Sequence, residues 1–189
     1  AGSFPSIYTL DAAAQRLLHP EARARRPWTP SHPFLAHAIA VSELYVTVVE
    51  ATKAISATVV TFAVEPECWR SHQAGLGQQT VLKPDAHAVI VTDEEEYHWF
   101  IEVDRSTENA TRLAAKCRAH VGYWHTGDED RRHGVSPQVL WVVPDERRRA
   151  QVLKVIRCLD PNDWPLFAVT ITEHAAAVLC GLAPIGGAS

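Results

Sequence analysis

The chain has 189 residues, 47% hydrophobic and 21% charged, which excludes a disordered protein and suits one ordinary domain with a small appendage. Its formal net charge of −4 argues against a sequence-blind grip on nucleic-acid phosphates by this segment alone. No signal-peptide pattern is present, no apolar run is expected to reach the roughly 20 residues of a membrane span, and four scattered cysteines form no C-x-x-C pair. The expectation is a cytoplasmic protein with reduced thiols and no membrane partner.

In chain order, residues 6–10 read as a short strand, and Asp11 caps a helix running to Leu18. A strand this early lacks a preceding partner, which suggests a piece of a longer protein. Residues 19–33 hold Pro20, Pro27, Pro30 and Pro33 around a basic run and read as a linker, leaving 34–183 as the main domain and 184–189 as a tail. Phe34, Ala38, Val41, Tyr45 and Val48 recur at helical spacing to about Lys53; Ile39, Val46 and Val49 make that helix apolar nearly all round, so it is expected to be buried.

Residues 57–64 are β-branched and strand-like, and 65–79 form a polar loop. Residues 81–92 and 97–103 predict two strands joined as a hairpin by the acidic turn Asp93-Glu94-Glu95-Glu96. A helix over 107–124, a charged loop over 127–137 and an apolar strand over 138–143 follow. Pro144 and Asp145 start a helix to about Cys158; then come a turn at 161–165, a strand at 166–171 and a last helix at 173–180. The order α-β-β-β-α-β-α-β-α predicts an α/β fold, a mixed central sheet flanked by helices.

Two stretches carry candidate chemistry, Leu82-Lys83-Pro84-Asp85 and Phe100-Ile101-Glu102-Val103-Asp104. Side chains alternate along a strand, so Lys83 and Asp85 share a face, as do Phe100, Glu102 and Asp104. Pairing as a hairpin would bring Asp85 to Glu102 and Asp104, with a lysine near. Such oxygen ligands suit Mg²⁺, which takes one or two carboxylates plus substrate phosphate and activates water. The plainer alternative is a set of strand-end carboxylates facing solvent, or capping the next helix in the case of Asp104.

A PD motif on one strand and E-x-(K) on the next, between helices, resembles the PD-(D/E)XK restriction-endonuclease-like superfamily. More closely, Ala40-Val41-Ser42-Glu43-Leu44-Tyr45, Glu65-Pro66-Glu67-Cys68-Trp69-Arg70, Leu82-Lys83-Pro84-Asp85-Ala86, the run from Trp99 to Glu108, and Leu140-Trp141-Val142-Val143-Pro144-Asp145 are similar, in order, to the replication-relaxation family of bacterial plasmids and mobile elements. The resemblance implies that residues 1–18 are the wing strand and last helix of a winged-helix DNA-binding domain. It implies Asp85 and Glu102 as metal ligands, with Glu43 matching a helix acid that some superfamily members use. Asp104 stands where the superfamily places a lysine, so it could add a ligand but cannot stabilise an attacking hydroxide. Lys83 or Lys116 could supply that charge; Lys116-x-x-x-His120 resembles the Gln-x-x-x-Tyr spacing of one branch of the superfamily, with both identities changed.

Arg105, Arg131 and Arg132 are the residues expected to meet DNA. No zinc spacing, phosphate loop or nucleophile elbow occurs. The leading reading is a DNA-binding replication or mobilisation accessory protein with a catalytically degenerate nuclease-like domain, with DNA and a second copy of the chain as its expected partners. The alternatives are an active Mg²⁺-dependent DNA endonuclease and a winged-helix transcription regulator using this part for assembly.

Overall fold

The computed structural model describes Ala13, Leu17 and residues 31–73 and 77–184. The chain divides into two compact units, Ala1–Ala36 and His37–Ser189. In the first, Ala13 and Leu17 are helical; the strand expected at 6–10, the rest of the winged-helix remnant and most of the 19–33 linker lie outside the described residues. The second unit carries the sheet.

Helix α1, His32–Ala54, leads to strand β1, Thr58–Val64. Strands β2 (Arg70–Gln73) and β3 (Gln79–Leu82) pair with each other as a separate two-stranded antiparallel sheet. Strands β4 (Ala86–Val91) and β5 (Glu96–Val103) form the expected antiparallel hairpin across the acidic turn. Helix α2 (Ala110–Trp124), the short helix α3 (Asp128–His133), strand β6 (Gln138–Val143) and helix α4 (Glu146–Ile156) follow. A 3₁₀ turn at Pro161–Leu166 leads into strand β7 (Phe167–Ile171), and a second at Thr172–His174 into helix α5 (Ala175–Leu179).

The five-stranded sheet has the order β1-β4-β5-β6-β7. β1, β4 and β5 run antiparallel to one another, whereas β5, β6 and β7 are parallel. The expected mixed α/β architecture is therefore present, as three layers. Alternation along β5 sorts its side chains: Trp99, Ile101 and Val103 face Val41, Leu44 and Val48 of α1 and the apolar residues of α5. Phe100 faces the other way, toward Leu113 and Cys117 of α2 and Val152 and Ile156 of α4. β6 and β7, covered on both sides, are buried at nearly every position.

Several local expectations need correction. The predicted strand over 81–92 is two strands, because Pro84 has no N–H to donate and breaks the ladder between β3 and β4. The polar loop 65–79 contains β2, and the charged loop 127–137 contains α3, whose acids at 128–130 and bases at 131–133 match the helix dipole. The helix predicted from 107 begins at Ala110, since Asn109 takes the N-cap, its side chain accepting from the Arg112 N–H at 3.0 Å. Helix α1 is not enclosed: it buries Val41, Leu44, Val48 and Thr52, while Val46 is 53% exposed. It also corrects the expectation about span-length apolar runs. With 23 residues and a mean hydropathy of 1.4, α1 is long and apolar enough to cross a membrane by length and composition, a test that core helices of soluble proteins also pass.

Candidate functional site

Glu102 lies one residue before the end of β5, on the face that α2 covers. The same alternation that turns Phe100 toward α2 sends the Glu102 carboxylate there, where it is 1% exposed. Lys116 and His120 are four residues apart on α2 and so share a helix face. They divide the two carboxylate oxygens: Lys116 Nζ donates to Oε2 at 2.8 Å, and His120 Nε2 lies 2.8 Å from Oε1. Glu108, just before α2, sits 3.4 Å from the same Nζ. Burial alone would lower the Lys116 pKa, but the charges of Glu102 and Asp85 outweigh it and hold the ammonium above its ordinary range.

Asp85 stands in the break between β3 and β4. Extending the β4–β5 register by one residue sets it opposite Glu102. Its N–H donates to the Ile101 carbonyl at 3.0 Å, and its Oδ2 accepts from the Val103 N–H at 2.7 Å, so Asp85 prolongs the ladder with both backbone and side chain. Its other oxygen, Oδ1, is 3.2 Å from Nε2 of His37 on α1. The hydrogen bond to Asp85 raises the His37 pKa, against the opposing effect of burial.

Asp104 lies past the end of β5. Its Oδ1 accepts from the Ser106 N–H at 3.0 Å, fulfilling the turn-capping alternative. Its Oδ2 accepts from Nε of Arg148, whose guanidinium also donates to the Glu108 carbonyl at 2.7 Å. Arg148 is placed by the start of α4, where the Asp145 side chain accepts from the Arg148 N–H at 2.7 Å. The three carboxylates thus each meet a cationic or imidazole side chain from a different helix: His37 of α1, Lys116 and His120 of α2, and Arg148 of α4.

The other candidates sit apart from this cluster. Lys83 is exposed, its Nζ 4.3 Å from the centre of the Trp69 ring. Glu43 is exposed on α1 and borders a cleft of about 810 Å³ with Asp104, Arg105, Val142, Pro144 and Thr172, at the carboxyl ends of the parallel strands. Arg131 pairs with Asp128 and donates to the Thr126 carbonyl at 2.7 Å. Arg131 and Arg132 precede the start of β6, whereas Arg105 follows the end of β5. Because β5 and β6 are parallel, these arginines stand at opposite ends of the sheet and form no common patch.

Sequence reasoning missed a further buried carboxylate, apart from this cluster. Glu129 of α3 accepts from Arg70 Nε at 2.7 Å and from the Tyr123 hydroxyl at 2.6 Å. Burial pushes its pKa up, but these two hydrogen bonds and the Arg70 charge prevail, so it stays below the usual carboxylate range. The run of acids and bases over 128–133 read as a charged loop, and only the contacts with Arg70 of β2 and Tyr123 of α2 distinguish Glu129 from its neighbours. His37 and Arg148 were missed likewise; the one local signal was an arginine three residues beyond a helix-capping aspartate.

Among the described residues, no group of three or more His, Cys, Asp or Glu side chains is arranged to hold a metal ion. The donor set agrees: both oxygens of Glu102 and one each of Asp85 and Asp104 meet side chains on three separate helices, and the remaining two accept from the Val103 and Ser106 N–H groups. A three-carboxylate seat for Mg²⁺ does not fit.

Comparison with known proteins adds one finding. The family description "replication-relaxation" matches residues 1–139, about three quarters of the chain. The chain belongs to the replication-relaxation family. This membership suggests a replication-related role. The matched span of this replication-relaxation chain includes Asp85, Glu102 and Asp104 and stops before Arg148. Neither the curated proteins nor the solved structures contain a match.

Proposed function

We propose that this chain is the nuclease-like part of a cytoplasmic, DNA-handling replication or mobilisation accessory protein of plasmid type, and that its acidic cluster holds the domain together instead of cutting DNA. The observation that carries this reading is the pairing of each carboxylate with a side chain from another helix. A metal-bound phosphodiesterase needs oxygens turned toward a shared cation and a substrate phosphate. Here Glu102, the most buried of the three, has both oxygens engaged by Lys116 and His120. The strand order and the position of Asp85, just before β4, opposite Glu102 of β5 support the PD-(D/E)XK-like plan. DNA contact is assigned to the winged helix of which 1–18 would be the end, with Arg105, Arg131 and Arg132 as auxiliary phosphate contacts.

A second reading has one specific observation in its favour. Asp85 and Glu102 stand opposite each other, and Lys116 lies within hydrogen-bonding distance of Glu102, which reproduces two acids and a lysine with the lysine moved onto a helix. In that reading Asp85 and Glu102 would hold Mg²⁺, which would polarise the phosphodiester, and Lys116 would steady the developing negative charge. Incubation of supercoiled plasmid with the protein in Mg²⁺ or Mn²⁺ separates the two. The expected result is intact plasmid with wild type, Asp85→Ala and Glu102→Ala alike; metal-dependent cleavage by wild type that both substitutions abolish establishes the second reading instead.

A further inference from the structure

Charge is divided unevenly between the two layers of helices. α2 and α4 each lead from the end of one parallel strand toward the start of the next, so they run in the same direction and pack side by side on one face of the sheet. α2 contains neither Asp nor Glu, and the one acid of α4, Glu146, pairs with Arg149. Burial of Leu113 and Cys117 on α2, and of Val152 and Ile156 on α4, turns Arg118, Arg147 and Lys154 outward, with Arg112 flanking them. All four are exposed. Among the described residues Arg118, Arg147 and Lys154 form no ion pair, and Arg112 has a long contact of 3.9 Å with Glu108. The acids at the ends of this layer have partners of their own. Asp145 accepts from the Arg148 N–H, Glu108 meets Lys116, Asp160 accepts from the Asn162 N–H, and Asp128 meets Arg131. Asp130 is exposed past the end of α2, on the same short helix as Arg131 and Arg132.

Arg112 and Arg147 stand in the first turns of their helices, and Arg118 and Lys154 follow at a rise of about 10 Å. Packed helices lie about 8–10 Å apart, so the four cations mark a patch on the order of 10 Å across. Ala115, Ala119 and Ala150 are exposed between them, which leaves the cations reaching furthest from the surface. Among the described residues, the one large apolar side chain exposed on these two helices is Trp124, at the end of α2. Protein interfaces centre on apolar and aromatic residues, membrane-surface helices need an apolar face, and single strands are held by several stacked aromatics. This face has none of these, which leaves the phosphates of a duplex. We infer that the outer face of α2 and α4 docks the backbone of duplex DNA, with Arg112, Arg118, Arg147 and Lys154 each meeting a phosphate. The patch matches phosphates on either side of a groove roughly 6–12 Å wide. Such contacts hold the protein on DNA without reading its sequence. The net charge of −4 does not oppose them, because exposed charges act within a screening length of about 8 Å and the acidic turn at 93–96 belongs to the β4–β5 hairpin. The partner class rests on the DNA-handling role proposed above; the surface is separate from Arg105, Arg131 and Arg132.

Fluorescence anisotropy of a labelled duplex of about 20 base pairs, titrated with the 189-residue chain between about 50 and 200 mM salt, tests this. Four phosphate contacts give a slope of about −4 for log affinity against log salt. Arg118→Ala and Lys154→Ala each reduce its magnitude by about one, and alanine at all four positions weakens binding at the lowest salt by more than about tenfold. Alanine favours helix, so circular dichroism stays unchanged. Lys53→Ala, exposed at the end of α1, leaves the slope as in wild type. A wild type that does not bind, or a Lys53→Ala loss equal to that of Lys154→Ala, overturns the inference. So does poly-glutamate, an anionic vesicle or a single strand that competes as well as the duplex. Face variants that bind like wild type, while Arg105→Ala and Arg131→Ala lose affinity, remove this face and leave the DNA-handling role standing. The single variants keep the test decisive even if the fourfold variant fails to fold.

Discussion

Glu102 is one of the few fully buried acids in this domain, and its two partners lie one helical turn apart on α2. Replacing it with glutamine removes the charge and leaves His120, itself 2% exposed, and the partly exposed Lys116 one neutral amide oxygen between them. Breaking one side of a buried pair costs about 3 kcal/mol or more, because the remaining charge stays desolvated. Glu102→Gln is therefore expected to lower the urea-unfolding free energy by about 3 kcal/mol. Adding Lys116→Met should cost much less than the sum of the two singles, as expected of side chains in contact. A loss under about 0.5 kcal/mol, the usual range for surface substitutions, would sink the structural role given to this glutamate.

His37 gives the cluster a pH dependence whose sign follows from its raised pKa. The protonated ring is favoured in the folded state by Asp85, so its contribution is complete below the unfolded value of about 6.5 and is lost as pH rises through the higher folded value. His87 acts in the opposite sense. Burial, then the Arg70 charge, push its pKa down to about 4, so stability is lost as pH falls from 6.5 toward that value. Thermal unfolding from about pH 6 to 8.5 should show wild type losing stability relative to His37→Gln as pH rises; parallel curves for the two proteins would remove the His37–Asp85 contribution.

At the scale of elements, α1 shows how far periodicity carries. Its apolar residues recur on every side, which by itself predicts a helix enclosed in protein. The sheet offers it one face, so Val41, Leu44 and Val48 are buried and Val46 remains at the surface. Leu44→Ala is expected to destabilise the domain by about 3 kcal/mol, through lost burial and a residual cavity, whereas Val46→Ala should change stability by less than about 0.5 kcal/mol. Equal losses at the two positions, measured by denaturant unfolding, would mean that α1 is enclosed on both sides. The β4–β5 hairpin was legible because its β-branched and aromatic apolar runs and the acidic turn between them are local signals. β2 and α3 were not, because their partners are supplied by each other, by β3 and by Glu129's contacts rather than by a run of apolar residues.

For the whole molecule, the charge of −4 and the separation of Arg105 from Arg131 and Arg132 have the same consequence: among the described residues, these three arginines share no basic face that could follow a DNA backbone. That agrees with assigning DNA contact mainly to a winged helix and with the expectation that plasmid stays intact in Mg²⁺. What the sequence by itself determined is the mixed α/β class, the hairpin, and the placing of Asp85 beside that hairpin's start and Glu102 near its end, since these depend on periodicity and turn chemistry within short windows. Only the tertiary structure decided what the acids do. Arg148 reaches Asp104 across 44 positions, and His37 reaches Asp85 from a separate helix, so their pairing depends on how α1, α2 and α4 pack on the two faces of the sheet. A carboxylate is a metal ligand or an ion-pair partner according to which donor lies nearest, and packing sets that distance.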